Sequence, residues 1–76
     1  MKKILTVAGS DSSGGAGIQA DLKTIALLGE YGLSVVTALT AQNTQGVFGI
    51  HPAPLDFISS QWNAVISDIS LNTVKT

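Results

Sequence analysis

Two short apolar runs, Ile4 to Ala8 and Val35 to Ala41, flank a stretch with helical periodicity, and this alternation constrains the fold more than any other feature. Runs so short and unbroken suit strands buried on both faces. Between them Ile18, Leu22, Ile25 and Gly29 fall at i, i+4, i+7 and i+11, one face of a helix over residues 16–29. Gly29 and Gly32 suit its termination. Residues 42–46 are polar, and Val47 to Ile50 fits a short edge segment. Pro52 and Pro54 punctuate a loop, and Pro54 fits a helix's first turn. Leu55, Ile58, Trp62 and Val65 then form a second helical stripe ending near Asp68, with Trp62 expected in the core. Val74 lies in a third strand. Strands alternating with helices imply right-handed crossovers and a parallel sheet, hence an α/β fold.

Such a sheet has open edges and needs cover on both faces. A chain of 76 residues is at most one small domain and buries only about 60% of its unfolded surface. Yet 45% of its residues are hydrophobic and 12% charged, the opposite of a disordered tail. Residues 72–76 read as a strand that stops without a turn or cap. We therefore expect the chain to be the first part of something larger.

The net charge of -1 points to no nucleic acid and no anionic membrane as partner. The absence of cysteine excludes disulfides and thiolate metal sites and agrees with a cytoplasmic origin. Met1, Lys2 and Lys3 resemble the basic end of a signal peptide. The apolar run that follows is too short for a signal sequence or a membrane span.

Ligands of open α/β sheets bind beyond the carboxyl ends of the strands. Two polar loops fall there, Gly9 to Gly17 after the first strand and Gln42 to Gln45 after the second. If the strands are parallel neighbours, both loops face one crevice. The first loop is no Walker cradle, because it carries no lysine before Lys23. Residues 15–20 fit the dinucleotide pattern G-x-G-x-x-A, but six residues separate Ala8 from Gly15 and residues 35–41 contain no acid. The competing reading of the glycines is a flexible loop with tight helix packing.

Asp21 stands at the border of the first apolar stripe, with no cation at i+3 or i+4. It can accept hydrogen bonds from a ligand or simply be solvated near the helix N-terminus. Gln42 offers donor and acceptor together, which suits a heterocycle or a loop backbone. Ser10, Asp11, Ser12 and Ser13 read as loop and capping residues, with no G-x-S-x-G elbow among them. His51, the single histidine, falls in a proline-flanked loop and reads as a surface residue.

The stretches "ILTVAGSDSSGGAGIQADLKT", "YGLSVVTALTAQNTQGV" and "VKT" resemble the N-terminal portion of the hydroxymethylpyrimidine/phosphomethylpyrimidine kinases, within the ribokinase-like superfamily. The resemblance runs from Ile4 to Thr76. It implies the N-terminal βαβαβ part of a three-layer fold with a mainly parallel sheet. Residues 1–76 would then be the substrate-binding portion of a single kinase domain. It further implies ATP- and Mg2+-dependent phosphorylation of 4-amino-5-hydroxymethyl-2-methylpyrimidine, and then of its monophosphate, for thiamine synthesis. By resemblance Gln42 and Asp21 contact the pyrimidine, and backbone around Gly9 and Ala16 lines the same pocket. The family's catalytic base, anion hole and nucleotide segments match nothing here, so no catalytic residue is assigned. The family is commonly a homo-oligomer. A sister branch that phosphorylates pyridoxal shares the first loop and Asp21 but differs after the second strand. A non-catalytic α/β module that binds a small ligand is the other alternative.

Overall fold

A computed structural model describes residues 1–76. The element order is β1 (Lys3–Ser10), α1 (Gly17–Leu27), β2 (Tyr31–Asn43), β3 (Gly46–Pro52), α2 (Leu55–Ile66) and β4 (Thr73–Lys75). They form one four-stranded sheet in the order β3-β2-β1-β4. β1 runs parallel to β2 and to β4, while β3 returns antiparallel along β2. The expected α/β fold with a mainly parallel sheet is present.

The Thr6 side chain faces α1, since its hydroxyl meets Asp21 of that helix. Strand alternation puts Ile4 and Ala8 on the same face and Leu5 and Val7 on the other. Leu5 and Val35 are fully buried on that second face. A right-handed crossover from β1 to β2, then one back past β1 to β4, places α1 and α2 on opposite faces. α2 thus covers what α1 does not, and it packs against β2. The buried apolar core is small: Leu5, Ile18, Ile25 and Val35.

Several boundaries differ from the sequence reading, each for a tertiary reason. β2 starts at Tyr31 because Tyr31 and Leu33 pair with Lys3 and Leu5 of β1. Gly32 is therefore a strand residue and not a helix terminator. It lies under α1, where an added Cβ would stand 2.8 Å from Leu22 Cδ2. Gly29 does end α1: it has φ 75°, its N–H bonds to the Ala26 carbonyl, and the Glu30 N–H bonds to the Ile25 carbonyl. That pair of bonds is the Schellman arrangement. α2 ends at Ile66 rather than Asp68, and Pro54 immediately precedes it. Trp62 is half-buried and Leu55 exposed, so this stripe is less enclosed than its periodicity implied.

Gln61 of α2 satisfies a stretch of β2 that no strand reaches. β3 ends at Pro52 opposite Ala38, so the β3-side edge at Val36 needs another partner. The Gln61 amide accepts from Val36 N–H at 2.9 Å and donates to Val36 O at 2.8 Å. One side chain thus takes the place of a paired strand.

Candidate functional site

The two polar segments converge as expected, because β1 and β2 are parallel neighbours whose carboxyl ends lie together. The join is specific. Ser12 Oγ donates to Gln42 O at 2.6 Å and accepts from Gln42 N–H at 2.8 Å. Beneath it, Thr40 Oγ1 donates to Ser10 O at 2.7 Å, and Gln42 Nε2 donates to Thr40 Oγ1 at 2.5 Å. Gln42 lies inside β2, opposite Val47, and not in a loop. The antiparallel β3 extends the strand past residue 41, and only Thr44 and Gln45 form the turn. Gln42 Oε1 makes no hydrogen bond within the chain and is left to accept one from a ligand.

The glycines of the first loop have a steric reason. Gly17 starts α1 at φ 60°, and a Cβ there would fall 2.3 Å from Gly9 O. Gly9 and the Ala16–Gly17 step therefore pack backbone on backbone. The loop is held from inside by Asp11, a buried residue. Its carboxylate accepts from Ser13 N–H at 2.9 Å, Ser13 Oγ at 2.7 Å and Gly15 N–H at 3.0 Å. The Ser13 hydroxyl and the loop N–H groups hold this carboxyl below its ordinary range. Gln19 clamps the loop to α1: its Oε1 accepts from Asp11 N–H at 2.8 Å, and its Nε2 donates to Ser10 Oγ at 2.7 Å. Asp11 and Ser13 thus shape the loop, as read, whereas Gly9 and Ser10 belong to β1, which runs two residues past Ala8, and no side chain caps α1 itself.

Asp21 is engaged differently. Its carboxylate accepts from Thr6 Oγ1 at 2.6 Å and from Lys75 Nζ at 2.8 Å and 3.0 Å. The Lys75 ammonium first, and the Thr6 hydroxyl second, hold it below the usual carboxylate range. The local rule found no cation within one helical turn. The partner is 54 residues away and arrives through the β1–β4 pairing, which sets Lys75 beside Thr6. No hydrogen bond ties Asp21 to Gly9, Ala16 or Gln42. The structure thus groups Gly9, Ala16 and Gln42 around one loop and anchors Asp21 separately, farther along α1.

No cavity encloses these four residues. The largest depression, about 380 Å³, lies between β2 and β3 and is lined by Leu39, Thr40, Ala41, Gly49, Ile50 and His51. His51 is exposed, as read, but stands in β3 and not in a loop. Sequence reasoning missed Gln19, Thr6 and Lys75. Only Gln19 had a local signal, a polar residue on the first turn of α1 beside a glycine loop.

Comparison with known proteins gives this geometry a context. The sequence profile of the phosphomethylpyrimidine kinase family matches residues 11–76. The chain is 68% identical over 73 residues to the thiamine biosynthesis bifunctional protein ThiED of Geobacter sulfurreducens, covering 96% of this chain and 15% of that protein. The crystal structure of phosphomethylpyrimidine kinase from Clostridium difficile 630 superposes with a TM-score of 0.94 at 55% identity, over 97% of this chain and 32% of that one. The ADP complex of Bacillus subtilis pyridoxal kinase superposes with a TM-score of 0.88 at 39% identity, over 97% of this chain and 28% of that one. The chain therefore spans under a third of the length of each. With the profile, the fold and the loop in agreement, this chain belongs to the phosphomethylpyrimidine kinase family.

Proposed function

We propose that residues 1–76 form the substrate-binding segment of a kinase domain that phosphorylates 4-amino-5-hydroxymethyl-2-methylpyrimidine, and then its monophosphate, in thiamine synthesis. The observation that carries this reading is the double hydrogen bond between Ser12 and Gln42, which binds the glycine loop to the end of β2. It fixes the backbone of Gln42 and leaves Oε1 open. A flat aminopyrimidine presents donors and acceptors on its rim and a face that needs close approach. Gln42 supplies an acceptor for the rim, and the bare backbone at Gly9 and Ala16 accommodates the face. Asp21, held as an anion, accepts from a ligand N–H or O–H.

Kinases of this family use ATP, and the B. subtilis neighbour is an ADP complex. The residues present do not form the phosphate cradle a nucleotide needs. The glycine loop carries no Walker lysine to meet the phosphates. ATP and Mg2+ fall to sequence outside residues 1–76. No helix is long and apolar enough to cross a membrane. The reading places the enzyme in the cytoplasm as a homo-oligomer acting on a small molecule.

The test is a chimera in which residues 1–76 replace the matching segment of the C. difficile kinase. With Mg-ATP it is expected to convert the aminopyrimidine to mono- and diphosphate, read by phosphorus NMR. A folded chimera without that activity contradicts the reading. The superposition on pyridoxal kinase favours one second reading, phosphorylation of pyridoxal, and the same chimera assayed with pyridoxal decides between them.

A further inference from the structure

Lys75 and Thr6 lie outside the glycine loop, yet both converge on one carboxylate. Thr6 is fully buried, and its hydroxyl donates to Asp21 Oδ2 at 2.6 Å. Lys75 Nζ spans both oxygens, at 2.8 Å from Oδ1 and 3.0 Å from Oδ2. A carboxylate has about four acceptor sites. These contacts use three and leave one, on Oδ1. The Asp21 side chain is 16% exposed, so that site stays within reach of a ligand.

The other charged groups on the surrounding elements do not share this role. Lys23, on the same helix, is turned to the Gly14 carbonyl at 3.0 Å. Lys3 and Tyr31 pair with each other at the far starts of β1 and β2. Glu30, beyond the end of α1, accepts from the Lys2 N–H. Lys75 is the cation that reaches Asp21.

We infer that Lys75 and Thr6 are positioning residues for Asp21, holding its carboxylate in one orientation with a single acceptor site turned to the substrate. The inference rests on the pyrimidine-kinase reading for its ligand and on the three contacts for its geometry. Two properties follow. The carboxylate is acceptor-only across the working pH range, so it selects a donor group on the ligand. It is also tied to the sheet on both oxygens, so it does not swing with the outer face of α1.

The test uses the same chimera, with Lys75→Met, Lys75→Arg, Thr6→Val and Thr6→Ser. Lys75→Met is expected to raise KM for the aminopyrimidine about tenfold, the loss of one charged hydrogen bond, with a smaller change in kcat. The acid limb of kcat/KM should move to higher pH, since the ammonium that holds the Asp21 carboxyl down is gone. Lys75→Arg should restore most of both, and Thr6→Ser should behave as wild type where Thr6→Val does not. A folded Lys75→Met chimera with unchanged KM and acid limb overturns the inference while leaving the kinase reading intact. If the unsubstituted chimera neither binds nor phosphorylates the aminopyrimidine, the kinase reading fails. The tether is then decided by carbon-13 titration of the Asp21 carboxyl: a midpoint raised by Lys75→Met supports it, and an unmoved midpoint overturns it.

Discussion

Ser12 and Gln42 exchange two hydrogen bonds across 30 positions of sequence, hydroxyl to carbonyl at 2.6 Å and amide to hydroxyl at 2.8 Å. One serine oxygen thus couples the loop after β1 to the end of β2. Both contacts are exposed, so their loss should cost little stability and act mainly on ligand affinity. Ser12→Ala in the chimera is expected to raise KM for the aminopyrimidine about threefold to tenfold, the range of one neutral hydrogen bond. Its thermal midpoint should stay close to that of the parent. A large fall in the midpoint with unchanged KM would make Ser12 a structural residue only.

Gly17 is expected to be irreplaceable. Its φ of 60° disfavours any side chain, and a Cβ would sit 2.3 Å from Gly9 O, a backbone atom that cannot rotate away. Gly17→Ala should cost more than about 2 kcal/mol, combining strained backbone with overpacking. Gly46→Ala is the control, since a Cβ there meets nothing within 4 Å. It should stay within about 0.5 kcal/mol of the parent. Equal losses in denaturant melts of the two variants would refute the steric account.

Gly32 makes a different prediction, because the obstacle is a side chain. Gly32→Ala sets a methyl 2.8 Å from Leu22 Cδ2 and 3.4 Å from Ile25 Cγ2. Overpacking of this kind costs about 1–3 kcal/mol. Leu22→Ala should remove much of that penalty, so the double variant should be less destabilised than the two single costs added together. Strict additivity in the cycle would show that Leu22 and residue 32 do not meet.

Much of the architecture was legible from periodicity and punctuation. The stripe of Ile18, Leu22 and Ile25 placed α1, and Gly29 ended it. The polar segments after two parallel strands were expected to converge, and they do. What local reading missed was set by pairing at a distance. Gly32 became a strand residue because Leu33 lies opposite Leu5, and Gln42 joined β2 because β3 folds back along it. Asp21 read as unpaired because its cation is brought by β4, which no i+3 or i+4 rule can see.

Asp11 should govern the acid stability of the loop. Its folded-state carboxyl is depressed, chiefly by the Ser13 hydroxyl and the Ser13 N–H. A depressed acid contributes stability that is fully present above its unfolded value of about 3.9 and is lost as pH falls through the lower folded value. Asp11→Asn is therefore expected to lower the thermal midpoint most above about pH 4. The difference from the parent should shrink as the pH is lowered further. A difference that grows on acidification would contradict the assignment.

The central claim is that Gln42, fixed by Ser12 at the end of β2, helps form an aminopyrimidine pocket. Its most direct test is the Michaelis constant for 4-amino-5-hydroxymethyl-2-methylpyrimidine, measured for the chimera and its Gln42→Ala variant at saturating Mg-ATP. The account predicts an active parent and a constant raised about threefold to tenfold in the variant, since a ligand donor would lose its hydrogen-bond partner. An active parent whose constant is unchanged by Gln42→Ala would contradict it.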